Sequence, residues 1–139
     1  EYDQLPMVEC YPSQLNQVFM NILSNAVDAL EEWDQQRGSH QMQSNPSTIT
    51  IRTEPLPCQA IAIRIIDNGP GVQNDLSVKL FEPFFTTKPI GKGTGLGLSI
   101  SYQIITEKHG GKLYCQSTPG EGAEFVIEIP VQQVVAQVA

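Results

Sequence analysis

The sequence predicts a single α/β domain, and three observations predict it. One long segment carries apolar residues at helical spacing, four shorter segments alternate apolar and polar residues, and a second helical segment separates the two pairs of alternating ones. The size suits one domain, 1–139: 139 residues, 40% hydrophobic and 17% charged, can bury a core.

The elements follow in order. From Leu15 to Trp33 the apolar residues Leu15, Val18, Phe19, Ile22, Leu23, Ala26 and Leu30 recur at spacings of three and four, which is one face of a helix. Pro12 suits its first turn, and Gly38 suits a stop after Arg37. Arg37 to Ser47 is polar, rich in turn formers, and reads as an exposed loop. Ser47 to Thr53 alternates through Ile49 and Ile51, and Ala60 to Ile66 through Ile61, Ile63 and Ile65; they read as strands joined across EPLP in a hairpin. From Asn68 to Gly97 glycine, proline and threonine are dense and no period is sustained, which in a compact domain marks a functional or mobile stretch. Leu98 to His109 reads as a second helix with Leu98, Ser101, Tyr102 and Ile105 facing inward and Gly110 and Gly111 as its stop. Lys112 to Ser117 and Ala123 to Pro130 read as two further strands around TPGEG, and the tail from Val131 to Ala139 is expected to fray.

Charge and cysteine usage narrow the function. A net charge of -7 and a pI near 4.6 argue against a binder of nucleic-acid backbones, which carries a basic face, while leaving room for a local cationic pocket. Cys10, Cys58 and Cys115 are odd in number and form no C-x-x-C, so neither a disulfide framework nor a zinc site is indicated; reduced thiols of a cytosolic protein fit. No apolar run is long enough to span a membrane, and no signal-peptide pattern opens the chain. A first residue of Glu1 leads us to expect a piece of a longer protein.

Four stretches carry candidate chemistry. Asn21, Asn25 and Asp28 fall at i, i+4 and i+7, one polar stripe flanking the apolar face of the first helix. An amide oxygen is a hard ligand suited to magnesium, which takes one or two protein ligands beside nucleotide phosphates; taken alone, such a stripe is more often an ordinary solvated flank. Asp67 ends an apolar strand and opens DNGPGV, where Gly69 and Gly71 permit a sharp turn and close approach to a ligand. Its carboxylate can accept from an exocyclic amine such as that of adenine, although D-N-G by itself is also a plain turn signal. FEPFFTTK sets Phe81, Phe84 and Phe85 around Pro83, ahead of Thr86, Thr87 and Lys88; the aromatics could anchor a loop whose hydroxyls and ammonium meet phosphate oxygens, or form a simple hydrophobic plug. GKGTGLGLSI places Gly91, Gly93, Gly95 and Gly97 directly before the second helix, leaving backbone N–H groups to face an anion. It is neither the G-x-x-x-x-G-K-[ST] loop nor a G-x-G-x-x-G after a strand.

In this order, QVFMNILSNAVDAL, DNGPGV, FEPFFTTK and GKGTGLGLSI resemble the N box, first glycine box, F box and second glycine box of the catalytic domain of sensor histidine kinases. Each stretch is weak alone; four in order with short spacers are specific. The resemblance runs from an expected strand at Leu5 to Cys10 through Pro130, and extends more distantly to gyrase, the ninety-kilodalton heat-shock chaperones and mismatch-repair ATPases. It implies a two-layer α/β sandwich of the Bergerat ATP-binding type, with a mixed sheet packed on about three helices and a flexible ATP lid.

The resemblance also implies roles. Asn25 becomes the magnesium ligand, Asn21 faces the phosphate and cation region, and Asp28 flanks the nucleotide. Asp67 takes the adenine amino group at a turn made by Gly69 and Gly71. Val72 to Lys92 becomes the lid, packed by Phe84 and Phe85, with Thr87 and Lys88 near the phosphates. Gly93, Thr94, Gly95, Leu96 and Gly97 contact the β and γ phosphates. Catalysis would rest on Asn21, Asn25 and Lys88, through positioning and charge neutralisation of magnesium ATP. Related ATPases carry a general-base glutamate at the position of Asn21; an amide there favours transfer over hydrolysis. Asp28 and Ala29 stand where many kinases have a basic residue and an aromatic, and Ala123 stands where many have a hydroxyl.

The activity so implied is ATP:protein-histidine phosphotransfer within a two-component system, in the cytoplasm. The partners are the kinase's own dimerisation domain, a response regulator indirectly, and a second copy of the full-length kinase, with neither nucleic acid nor membrane contacted by this domain. His40 lacks the surroundings of a phosphoacceptor, and His109 before Gly110 suits a helix cap, so the chain is not expected to phosphorylate itself. The rival readings are a serine-directing anti-sigma-factor kinase or an ATPase clamp of the same fold, and a nucleotide-sensing module without transfer.

Overall fold

The computed structural model describes residues 1–72, 77, 79–83, 85 and 96–133. Helix α1 (Pro12–Gln36) starts with Pro12 in its first turn, where the missing N–H costs nothing, and ends where Arg37 turns extended. Its buried stripe is Leu15, Val18, Ile22, Ala26 and Leu30.

The segment expected as a loop contains a short helix, α2 (Ser39–Ser44), begun by the Gly38 N–H donating to Gln41 Oε1 at 3.3 Å. Arg37 organises it. The guanidinium lies 3.7 Å over the Trp33 ring, pairs with Asp34, and donates to the carbonyls of Gln41 and Asn45 and to Ser47 Oγ. Such a fork can tie down a polar segment whose composition alone reads as loop.

Strands β1 (Ile49–Leu56), β2 (Ala60–Asp67), β3 (Lys112–Ser117) and β4 (Ala123–Pro130) form one sheet in the order β1-β2-β4-β3, all neighbours antiparallel. A parallel bridge from Tyr2 to Thr53 on the outer edge of β1 makes the sheet mixed. Strand β1 runs past Thr53 through Pro55, which an edge strand tolerates because its N–H is not needed in the ladder, so the hairpin turn is Pro57–Gln59 rather than EPLP. Cys58 and Gln59 there adopt φ of 63° and 56°. Leu5 to Cys10 is not a strand: it is irregular, tied at Glu9, whose N–H reaches Val131 O at 2.8 Å and whose carbonyl accepts from Gln133 Nε2 at 3.1 Å. Pro6 in its middle cannot donate to a ladder.

Helix α3 (Gly97–Gln103) continues as a wide π turn over Ile104–Lys108 instead of an unbroken helix. The widening turns the consecutive residues Ile104 and Ile105 to the core together. Tyr102, expected inward, is 42% exposed and stacks on Phe81 with ring centroids 5.5 Å apart.

Two layers result. On the inner face of the sheet Ile61, Ile63, Ile65, Leu113, Phe125, Ile127 and Ile129 pack with Leu15, Val18 and Ile22 of α1 and the isoleucines after α3. Each such buried side chain contributes about 1.5–3 kcal/mol of transfer free energy. On the other face Arg64 pairs with Glu54 and Glu124, and Tyr114 donates to Glu128 at 2.6 Å. Arg64 and Tyr114 flank fully buried Val126 across the strands, so long polar side chains roof this face with their stems. Among the described residues no helix is long and apolar enough to cross a membrane.

Candidate functional site

The alternation of β2 puts Asp67 on the inner face at the strand's last position, level with Ala123 of β4. It is 6% exposed, and its Oδ1 accepts the Gly69 N–H at 2.9 Å. Burial pushes its carboxyl pKa up, and backbone hydrogen bonds from Gly69 and Ala123 oppose that rise. The next turn is dictated by close packing. A Cβ on Gly69 would meet Asp67 Oδ1 at 3.0 Å and Leu30 Cδ2 at 3.3 Å. Gly71 has φ of +76°, and a Cβ there would lie 2.6 Å from Thr118 O. The demand for glycine at that position therefore comes from the β3–β4 turn pressing on it.

A cleft of about 560 Å³ opens beside Asp67 at this end of the sheet, lined among others by Ser77, Cys115, Ser117, Thr118 and Ala123. Burial, helped by the charges of Asp67 and Glu124, pushes the Cys115 thiol up to about 11. Neither Cys115 nor Ser117 stood out in the sequence; the signal for both was the inward phase of β3, which they share with buried Leu113.

The other end of the site lies where α1 meets α3. Asn21 Nδ2 donates to Gly97 O at 3.2 Å and to Ser101 Oγ at 3.2 Å, and Ser101 Oγ donates to Gly97 O at 2.8 Å. A carbonyl only accepts, so the nitrogen of the Asn21 amide must face Gly97. Just before α3, Leu96 O accepts both the Ile100 N–H and the Ser99 hydroxyl at 2.9 Å. Helix α1 thus spans the site: Asn21 touches the head of α3, Leu30 touches the Gly69 turn, and half-buried Asn25 and Asp28 stand between them. Nine residues of helix separate the two contacts by about 13 Å.

The expected phosphate-side residues Thr87, Lys88, Gly93, Thr94 and Gly95 lie outside the described residues, as do Phe84 and Thr86. Of the aromatics, Phe81 is the one seen tied to the core, edge-on to Phe125 at 6.3 Å, while Phe85 is half-buried with its N–H on Glu82 O. Among the described residues no cluster of three histidine, cysteine, aspartate or glutamate side chains could hold a metal.

His109 is 1% exposed and fully committed. Its Nε2 accepts the Tyr11 N–H at 3.0 Å and its Nδ1 lies 2.9 Å from Ile104 O, so the proton sits on Nδ1 and the ring caps the π turn. His40 is exposed on α2.

Residues 10–133 match the family model described as histidine kinase-, DNA gyrase B-, and HSP90-like ATPase. Sporulation kinase E of Bacillus subtilis is 37% identical over 131 residues, which cover 94% of this chain and 16% of that protein. A nucleotide-free catalytic domain of histidine kinase ThkA superposes with a TM-score of 0.73 at 32% identity, over 94% of this chain and 77% of that one. Full-length ShkA in complex with AMPPNP superposes with a TM-score of 0.74 at 26% identity, over 95% of this chain and 24% of that one. The chain spans less than a fifth of the length of the kinase it matches in Bacillus subtilis.

Proposed function

The chain belongs to the histidine kinase-, DNA gyrase B- and HSP90-like ATPases as a histidine-kinase catalytic domain, and from that premise we propose that it binds magnesium ATP and donates the γ-phosphoryl group to a histidine on the dimerisation domain of its own kinase. A response regulator would receive the group afterwards, and the full-length protein would act as a homodimer. ShkA, which shares the fold, binds the ATP analogue AMPPNP.

Asp67 is the group for the adenine amine: a buried carboxylate offers acceptors and, when ionised, no competing donor. Asn25 would hold magnesium, with Asn21 and Asp28 on the same stripe. Magnesium, when bound, neutralises charge on the β and γ oxygens. Thr87, Lys88, Gly93, Thr94, Gly95, Leu96 and Gly97 would embrace the phosphates, and Val72 to Lys92 would close over them. For these residues the support is the likeness of the boxes to the family's and, for Leu96 and Gly97, their place at the head of α3.

The observation that carries transfer over hydrolysis is the Asn21 amide on the Gly97 carbonyl. An amide so held has no site basic enough to take a proton from water, so the activation that an ATPase glutamate provides is missing. The test mixes the chain with γ-labelled ATP and a separate dimerisation domain from the same kinase. Acid-labile, base-stable label on that domain's histidine is the expected outcome. Base-labile, acid-stable label on a serine would replace this reading by the anti-sigma type, and free phosphate with no labelled protein by an ATPase clamp.

A further inference from the structure

Resting on the nucleotide-site reading, we propose that Ser117 is a positioning residue that holds the Gly69–Val72 turn in place beside Asp67. Ser117 ends β3 on the inner face, opposite Ala123, which in turn lies opposite Asp67; the three form one row across β3, β4 and β2. Its hydroxyl is used in both directions. Oγ accepts the Val72 N–H at 2.6 Å and donates to Gly122 O at 3.0 Å.

The surroundings show how little slack the turn has. The Gly120 N–H donates to Pro70 O at 2.6 Å, which joins the two turns through their backbones. A Cβ on Gly71 would stand 2.9 Å from both Ser117 Oγ and Gly122 O. A Cβ on Gly122, at φ of +96°, would lie 2.1 Å from Asp67 O. The Asp67–Val72 turn and the Ser117–Gly122 turn are therefore pressed together, and Ser117 supplies a side-chain bond that pins the far end of the first turn to the second. Ser117 and Asp67 both line the cleft. Without the hydroxyl the Val72 N–H loses its acceptor, and the backbone that follows Asp67 can swing away from the purine it flanks.

Titration calorimetry with magnesium ADP on this chain and on Ser117→Ala, Ser117→Thr and Ser117→Val decides the matter. Thr and Val share a shape and differ in the hydroxyl, so they separate the hydrogen bond from crowding even if Ser117→Ala folds poorly. The expected result is a Kd weakened about tenfold in Ser117→Ala and Ser117→Val and near the original in Ser117→Thr. Amide exchange should quicken at Val72 and Gly120 while Ile127 in the core is unchanged. In the transfer assay KM for ATP should rise with kcat within about twofold, since the altered turn lies at the adenine end. Equal Kd in Thr and Val, or losses matched by uniform core exchange, would overturn the positioning role alone. Absence of ADP binding by the unaltered chain would overturn the nucleotide reading itself and this inference with it.

Discussion

The amide nitrogen of Asn21 stands 3.2 Å from the carbonyl of Gly97, and that contact joins the middle of α1 to the first residue of α3. Asn21→Asp puts a carboxylate against a carbonyl and beside Ser101 Oγ. Losing the donor and adding repulsion costs about 1–3 kcal/mol, so the melting temperature should fall by roughly 4–12 °C. Thermal unfolding measures it. A variant that melts with the original protein would mean that the α1–α3 contact is not made in solution.

Asp67 sets stability against binding. Burial raises its folded pKa, so the folded state binds its proton more tightly than the unfolded chain does. Its contribution to stability therefore falls as pH rises from the ordinary carboxylate range near 4 through the raised folded value, and the penalty is complete above that value. Asp67→Asn keeps the shape and can still accept from Gly69, so it should unfold at higher urea than the original at pH 7, the gap closing as pH falls toward 4. It should also lose most of its affinity for magnesium ADP, because an amide offers a donor to the adenine amine. Equal urea midpoints at pH 7 would refute the burial argument, and unchanged ADP affinity would refute the adenine assignment.

Much of this was legible in the residues, and what was not has physical reasons. Strands β3 and β4 begin and end where alternation does, and β2 differs only by taking in Asp67, because the inner face of the sheet is the core. Strand β1 outran its expected end because a proline is costly only where the ladder needs its N–H, and the edge position of β1 is a tertiary fact. Helix α2 exists because Arg37 gathers carbonyls from Gln41 and Asn45, contacts no local pattern announces. Asp67 and Asn21 could be named from their boxes. Gly69, Gly97 and Ser101 could also be named as residues, but that Asn21 is held by Gly97 and Ser101 of α3 could not, because the contact with Gly97 crosses 76 residues and no local pattern announces it.

Two of the three thiols, Cys58 and Cys115, should separate by reactivity. Cys58 is exposed at the β1–β2 turn, whereas the Cys115 thiol, pushed up to about 11, holds on the order of a hundredfold less thiolate at pH 8 than an ordinary cysteine. Brief iodoacetamide treatment at pH 8 followed by peptide mass spectrometry should show Cys58 carboxamidomethylated and Cys115 intact. Early modification of Cys115 would mean that the sheet end opens far more than the packed turns allow.

Of the two histidines of this chain, His109 is committed by its bonds, and His40 is exposed on α2 in a sequence without the surroundings of a phosphoacceptor. His109 uses Nε2 to accept from Tyr11 and Nδ1 to donate to Ile104, so neither nitrogen can attack a phosphoryl group without breaking the joint between α1 and the π turn. His40 projects from α2, beyond the turn that Asn68 ties back through the Thr48 N–H and Pro46 O. The chain alone should therefore take up no label from γ-labelled ATP, and a supplied dimerisation domain should. If Asn25 holds magnesium as proposed, Asn25→Ala should abolish that transfer, while magnesium-free ADP binding stays within a few-fold because Asp67 and the Gly69 turn are untouched. Label on His109 or His40, or transfer by Asn25→Ala at near the original rate, would contradict the roles assigned to them; acid-quenched gels beside base-treated ones distinguish the outcomes.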